Sequence, residues 1–132
     1  MTRKDTDMDI RPLDRDSMPF ENGAFGQRLV PWDVMNAPFE GAYVVVPARG
    51  ATGAHEHHEA EIFIGVRGEA EIESGGVRHP FRAGDIEHHA PGVLHRVIND
   101  GDEDFEFYAI WWDTEMSHKF LANHVDDYEG DN

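Results

Sequence analysis

The chain has no cysteine, which excludes disulfides, thiolate metal sites and a cysteine nucleophile while leaving the redox compartment open. Cysteine-based zinc modules are excluded with them. Positive charge is scarce: 11 basic residues, of which only Lys4 and Lys119 are lysines, stand against 27 acidic ones, for a formal charge of −16. Such a chain repels a phosphate backbone or an anionic bilayer, so neither nucleic acid nor a membrane is an expected partner. The bias towards arginine fits GC-rich coding and a salt-adapted host equally well. Long hydrophobic runs are also missing. The longest apolar stretch, AYVVVPA at 42–48, is far too short to span a bilayer, and the opening MTRKDTDMDIRPLDRD has no apolar signal core. These absences predict a soluble cytoplasmic protein, and 132 residues suffice for one domain with its own core.

What is present is a series of short apolar stretches separated by turn residues. GAYVVVPA, EIFIGVRGEAEIES, VRHPFRAGD, VLHRVINDGDED and FEFYAIWWD follow one another, with Gly75-Gly76 as a two-residue hairpin signal and Asn99-Asp100-Gly101-Asp102 as a further turn. The pattern predicts an all-β sandwich or barrel. In FEFYAIWW, the uniformly apolar set Phe105, Phe107, Ala109 and Trp111 is expected inside. The other set, Glu106, Tyr108, Ile110 and Trp112, is richer than a solvated face needs and suggests a sheet or subunit packed on it. Residues 1–18 read as a charged N-terminal arm, 19–125 as the single domain and 126–132 as an acidic tail. Solvation explains both ends, an arm exchanged within a dimer being the alternative. After Asp113 and Thr114, which suit a helix cap, EMSHKFLANHV predicts one short helix whose Met116, Phe120 and Val125 cover the barrel.

The chemistry concentrates in GAHEHHEAEIFIGVRG, residues 53–68, with three histidines and three glutamates in seven positions. Imidazoles and carboxylates crowded against a buried strand need a partner, and a metal ion is the obvious one. In a strand, residues two apart point the same way, so His55 and His57 can present two imidazoles to one ion while Glu56 and His58 point elsewhere. Glu61 opens the strand EIFIGV, where its carboxylate can return to that ion. His95 follows the Pro91-Gly92 turn, which can bring its strand alongside.

The pattern resembles the cupin superfamily. Its first motif reads here as Gly50, His55, His57, Glu61 and Gly68, the leading spacer being one residue short. The second matches Gly84, Gly92, His95 and Asn99 in GDIEHHAPGVLHRVIN, departing only at Ala90, where the family has a proline. That departure touches the loop and leaves the ligands intact. The resemblance implies a double-stranded β-helix, or jelly-roll barrel, holding one divalent metal through His55, His57, Glu61 and His95. Three imidazoles and a carboxylate suit zinc or iron, with manganese, nickel, cobalt and copper open. A site of this make leaves positions for water or substrate, as catalytic centres do.

Other residues form a second tier. Ile86, His88 and Ala90 share a strand face whose apolar members point it inward, so His88 is a candidate general base or supporting group, and His89 should point out. Phe63, Phe105, Phe107 and Trp111 are core residues that can also line a pocket, in which case the substrate has an apolar or planar part. His58 and Glu59 read as solvated loop positions, and His118 and His124 as helix surface. Arg49, Arg67, Arg78, Arg82 and Arg96 are candidate carboxylate anchors that sequence cannot tell from surface charge.

The functional expectation is a metal-dependent enzyme acting on a small polar organic molecule, as a homodimer, in a tailoring step of specialised metabolism. Dioxygenase, lyase, isomerase or cyclase, and decarboxylase chemistry all remain open. HEHHEAEIF with the distal FYAIWWD also resembles zinc cupins that form nitrogen–nitrogen bonds beside a methionyl-tRNA-synthetase-like partner enzyme. The alternative is a non-catalytic module holding a metal or metabolite. A regulator would need a DNA-binding domain, for which the chain has neither length nor charge.

Overall fold

The structure, a computed structural model, describes residues 8, 10–29 and 37–123. The whole acidic tail, 126–132, with His124, Val125 and residues 1–7 and 9 of the arm, therefore lies outside the described residues. Nine strands are described: β1 (Phe20–Glu21), β2 (Ala24–Arg28), β3 (Glu40–Val46), β4 (Ala60–Arg67), β5 (Glu69–Ser74), β6 (Val77–Arg82), β7 (Ile86–His89), β8 (Arg96–Ile98) and β9 (Phe105–Trp112). One helix, α1 (Thr114–Asn123), follows. All strand pairs are antiparallel, in a six-stranded sheet of order β1-β2-β3-β9-β4-β7 and a three-stranded sheet of order β6-β5-β8.

Turn chemistry sets these elements. Gly75 and Gly76, at φ 60° and 78°, join β5 to β6 with Ser74 opposite Val77, as the two-residue hairpin required. Asn22 and Gly23, at φ 52° and 85°, do the same for β1 and β2, a hairpin the sequence reading passed over. Its tip is seated hard on the segment before the first histidines. Gly53 N donates to Asn22 O at 3.2 Å, and a Cβ on Gly23 would lie 2.0 Å from the Ala51 carbonyl oxygen.

The core forms between the two sheets, where Val46, Phe63, Phe105 and Phe107 meet Ile72, Phe81 and Val97. Alternation in β9 puts Phe105, Phe107 and Ala109 inside, as expected. On its other face, Tyr108 packs with Phe25 against Met18, Tyr43 and Val45 in a second, smaller core. Met18 is only 7% exposed, so the arm covers part of the face that had suggested a subunit contact. Tyr43 and Glu106 complete this patch through a hydrogen bond from the phenol to the carboxylate, and burial followed by that bond pushes the phenol's pKa up.

The helix forms where expected, and Asp113 caps it by accepting from Glu115 N at 2.8 Å. It does not cover the barrel: Met116 and Phe120 are 54% and 47% exposed. Its Ser117 and Phe120 line a groove with Ile110 and Trp112 of β9, Pro38 and Phe39. No helix among the described residues is long and apolar enough to cross a membrane.

The phase of β7 is opposite to the sequence expectation. Ile86 is 70% exposed and His89 6%, so His89 points in while His88 points out and stacks on Trp112, with ring centroids 6.4 Å apart. Register decides this. Gly84 turns the chain at φ 91° so that Glu61 pairs with His89, and residues opposite each other share a face. Ile86 had made the other face look internal, but one exposed isoleucine is outweighed by a ladder anchored on an inward Glu61.

Candidate metal centre

Glu40, Trp111, Glu61 and His89 sit side by side across β3, β9, β4 and β7, forming a row on the inner face near the end of the barrel. The histidines of the other segment come in from opposite. His55 and His95 exchange both backbone N–H···O bonds at 3.1 Å, which sets their imidazoles side by side with ring centroids 4.6 Å apart. Gly92 N donates to His57 O at 2.8 Å, so the Pro91-Gly92 turn ties this strand to the first, as the sequence suggested.

Four side chains, His57, Glu61, His89 and His95, have ligand atoms all within 4.8 Å of one another and could hold a metal ion. Three of them are sequence candidates. The fourth, His89, was expected to point out. His55 lies at the edge of the group, exposed, its ring centroid 5.7 Å from that of His57.

Second hydrogen bonds separate the imidazoles into two kinds. His55 Nδ1 donates to Gly53 O at 3.1 Å, His57 Nδ1 to Glu59 O at 3.0 Å, and His95 Nδ1 to Val93 O at 2.9 Å. A carbonyl can only accept, so each of these rings carries a proton on Nδ1 and turns Nε2 to the centre, where that of His57 lies 3.1 Å from Glu61 Oε1. This is the orientation by which metal-ligating histidines are commonly fixed. His89 is different, because both of its nitrogens meet carboxylates: Nδ1 at 2.9 Å from Glu87 Oε2 and Nε2 at 2.9 Å from Glu61 Oε1. Two carboxylates, one on each nitrogen, favour the doubly protonated imidazolium. Burial pulls the His89 pKa down, but the hydrogen bonds to Glu61 and Glu87, with their charges, raise it to about 9. Burial alone would raise Glu61, yet His89 first, then His95 and His57, hold its carboxyl at about 2.

One nitrogen has no such solution. His95 Nε2 is buried without a hydrogen-bond partner, and Glu61 Oε1, at 3.5 Å, is beyond a well-formed bond. A buried lone pair aimed at a carboxylate costs free energy unless a cation lies between them. The donor set and this orphan nitrogen therefore fit a divalent metal.

A cavity of about 180 Å³ adjoins the cluster, walled by Glu61, His55 and His95 and by Phe63, Phe107 and Trp111. Three of the four expected lining aromatics are thus in place. Phe105 is not: it is 0% exposed, deep in the core at the far end of β9. The cavity shares Glu21, Asn22, Ala24, Ala42 and Val44 with an outer trough of about 700 Å³. Of the second tier, His88 lies on the outer surface, so it does not reach the site as a base, and His58 and His118 are exposed. Of the five candidate anchor arginines, none lines the cavity or the trough, whereas Arg28 does.

A family model described as Cupin domain matches residues 42–111, and the chain belongs to the cupin family. Its fold is the jelly roll of that family. It is similar in structure to a Cupin 2 conserved barrel domain protein from Salinispora arenicola CNS-205, with 47% identity, a TM-score of 0.79, and coverage of 90% of this chain and 100% of that one. It is also similar to the plu4264 protein from Photorhabdus luminescens, with 40% identity, a TM-score of 0.76, and coverage of 86% and 95%. Among curated proteins, an oxalate-binding protein from Thermotoga maritima is 33% identical over 70 residues, 52% of this chain. The match spans 58% of that relative's length.

Proposed function

We propose that the protein is a metal-dependent enzyme of small organic molecules, with one divalent ion, zinc or iron, held by His55, His57, Glu61 and His95. The buried, partnerless Nε2 of His95 carries this reading. His55 is preferred to His89 as the remaining nitrogen donor because its Nδ1 rests on a carbonyl, whereas His89 is committed to two carboxylates. His89 instead neutralises Glu61 when no ion is bound. A bound ion of this type polarises a substrate oxygen or lowers the pKa of a water.

The chain's own residues supply the rest. Phe63, Phe107 and Trp111 keep bulk water from the inner end of the cavity, which strengthens every electrostatic interaction there. Thr52, on the cavity wall, is fixed in place by its hydroxyl, which accepts from Val97 N at 2.9 Å. A second reading, a non-catalytic binding module, draws support from the printed name of the Thermotoga maritima relative.

Elemental analysis of protein purified without added metal tests the centre, and the His57→Ala variant tests the chemistry. The expected result is near-stoichiometric metal, lost in the variant together with turnover of a candidate substrate. Metal loss with unchanged turnover would defeat the enzyme reading.

A further inference from the structure

We propose that Arg28 forms an anion subsite at the mouth of the metal cavity, and that the substrate carries a carboxylate on a planar body that lies against Trp111. The inference deepens the metalloenzyme reading and rests on it for the identity of the cavity.

Register puts Arg28 on the inner face. It ends β2, opposite Ala42, which is in turn opposite Ala109 on β9, and both alanines wall the cavity. Its guanidinium carbon stands 5.2 Å from the centroid of the Trp111 ring. Trp111 is the cross-strand neighbour of Glu61 on one side and of Glu40 on the other, and Glu40 forms an ion pair with Arg28. A short path of side chains thus runs from the cluster to one cation.

That cation is singular. Among the described residues lining the cavity and the trough, Arg28 is the sole lysine or arginine, in a chain of net charge −16. The carboxylates on the same walls are Glu21 and Glu61. Glu21 shares the inner face of its partner Ala24, and Glu61 and Glu40 lie beyond. Outside the metal cluster itself, an anion entering this end of the barrel therefore meets one basic side chain among the described lining residues, Arg28.

The guanidinium is also built for the task. Glu40 engages Nη1, and the ring face of Trp111 fixes the plane, while the side chain remains 63% exposed towards the trough. An arginine fork has five donors, and among the described residues only Glu40 engages it, so N–H groups remain to receive a carboxylate in a preset orientation. Trp111 offers its indole as a flat apolar wall between that carboxylate and the metal cluster. Glu40 moderates the subsite, since it competes for the same charge.

The test uses benzoate as the probe and benzamide as its uncharged counterpart, titrated calorimetrically into zinc-loaded and metal-free protein, with zinc content measured in parallel. Benzoate should bind at least about 10-fold more tightly than benzamide, and Arg28→Met should abolish that preference. Glu40→Gln should tighten benzoate about threefold or more, an effect opposite in sign that a folding defect does not imitate. Zinc content should be the same in both variants as in the parent. Failure of benzoate to bind, equal binding of benzamide, or indifference of benzoate to both substitutions overturns the subsite. Absence of zinc uptake defeats the metal reading instead, and the metal-free titrations still decide Arg28.

Discussion

Replacing His89 by leucine should tighten metal binding at pH 7, although this removes an imidazole from the middle of the cluster. His89 bridges Glu61 and Glu87 as an imidazolium, with a pKa of about 9. A cation arriving beside it must expel that proton or tolerate its charge. Two pH units below that pKa, the opposition amounts to at most about 3 kcal/mol, or on the order of 100-fold in affinity. Leucine fills the space beside Phe63, whose ring centroid is 5.1 Å from that of His89, and brings no charge. Zinc affinity measured by competition with a chelator, corrected for the chelator's own protonation, should rise in the parent by about tenfold per unit from pH 7 to 9. The His89→Leu protein should begin tighter and lose this slope, while His55→Ala should bind more weakly throughout and exposed His58→Ala should match the parent. If His89→Leu loses zinc at pH 7 while His55→Ala keeps it, His89 is a ligand and the division of the histidines by their Nδ1 partners is wrong.

The same ion pair sets the pH dependence of the metal-free fold. Glu61, lowered from 4.5 to about 2, contributes stability above pH 4.5 that is lost as pH falls through 2; His89, raised from 6.5 to about 9, contributes stability below pH 6.5 that is lost as pH rises through 9. Thermal midpoints of metal-free protein should therefore peak between pH 4.5 and 6.5 and decline towards pH 9, and a profile still rising at pH 9 would contradict the pair. Asn99→Ala should cost about 3 kcal/mol in denaturant unfolding, because the fully buried amide donates to Val46 O, Pro47 O and Glu103 O and accepts from Gly101 N. Gly23→Ala should cost about 2 kcal/mol or more by the same measurement, since a Cβ at φ 85° would strike the Ala51 carbonyl.

Legibility followed the strength of the local signal. The Gly75-Gly76 hairpin and the alternation of FEFYAIWW were readable because turn geometry and side-chain period act within a few residues. His57, Glu61 and His95 were readable because motif spacing fixes their register. His89 was not, because its direction depends on which residue of β4 it faces, and Gly84 sets that at long range. An inward-facing Glu87 two residues earlier would have been the clue, but Ile86 argued for the other phase. Arg28 was missed for a different reason: the Asn22-Gly23 turn was a strong hairpin signal, and reading it would have made 24–28 a strand with Ala24, Gly26 and Arg28 on one face. The burial of Met18 could not be anticipated, since only tertiary contact with Tyr43 and Val45 distinguishes it from a solvated arm residue.

The seat of the β1–β2 hairpin also has a bearing on how this scaffold can be diversified. Side chains added at Gly23 or Gly53 meet atoms at 2.0 and 2.3 Å, whereas Gly75 and Gly76 have nothing within 4 Å. A mutational library should therefore recover almost nothing but glycine at Gly23, where the obstacle is backbone, and tolerate small residues at Gly53, where the Asn22 amide can swing aside, while the open space around Gly75 and Gly76 accepts inserts. The segment leading into the first histidines is thereby locked in shape, and new loops belong on the β5–β6 turn.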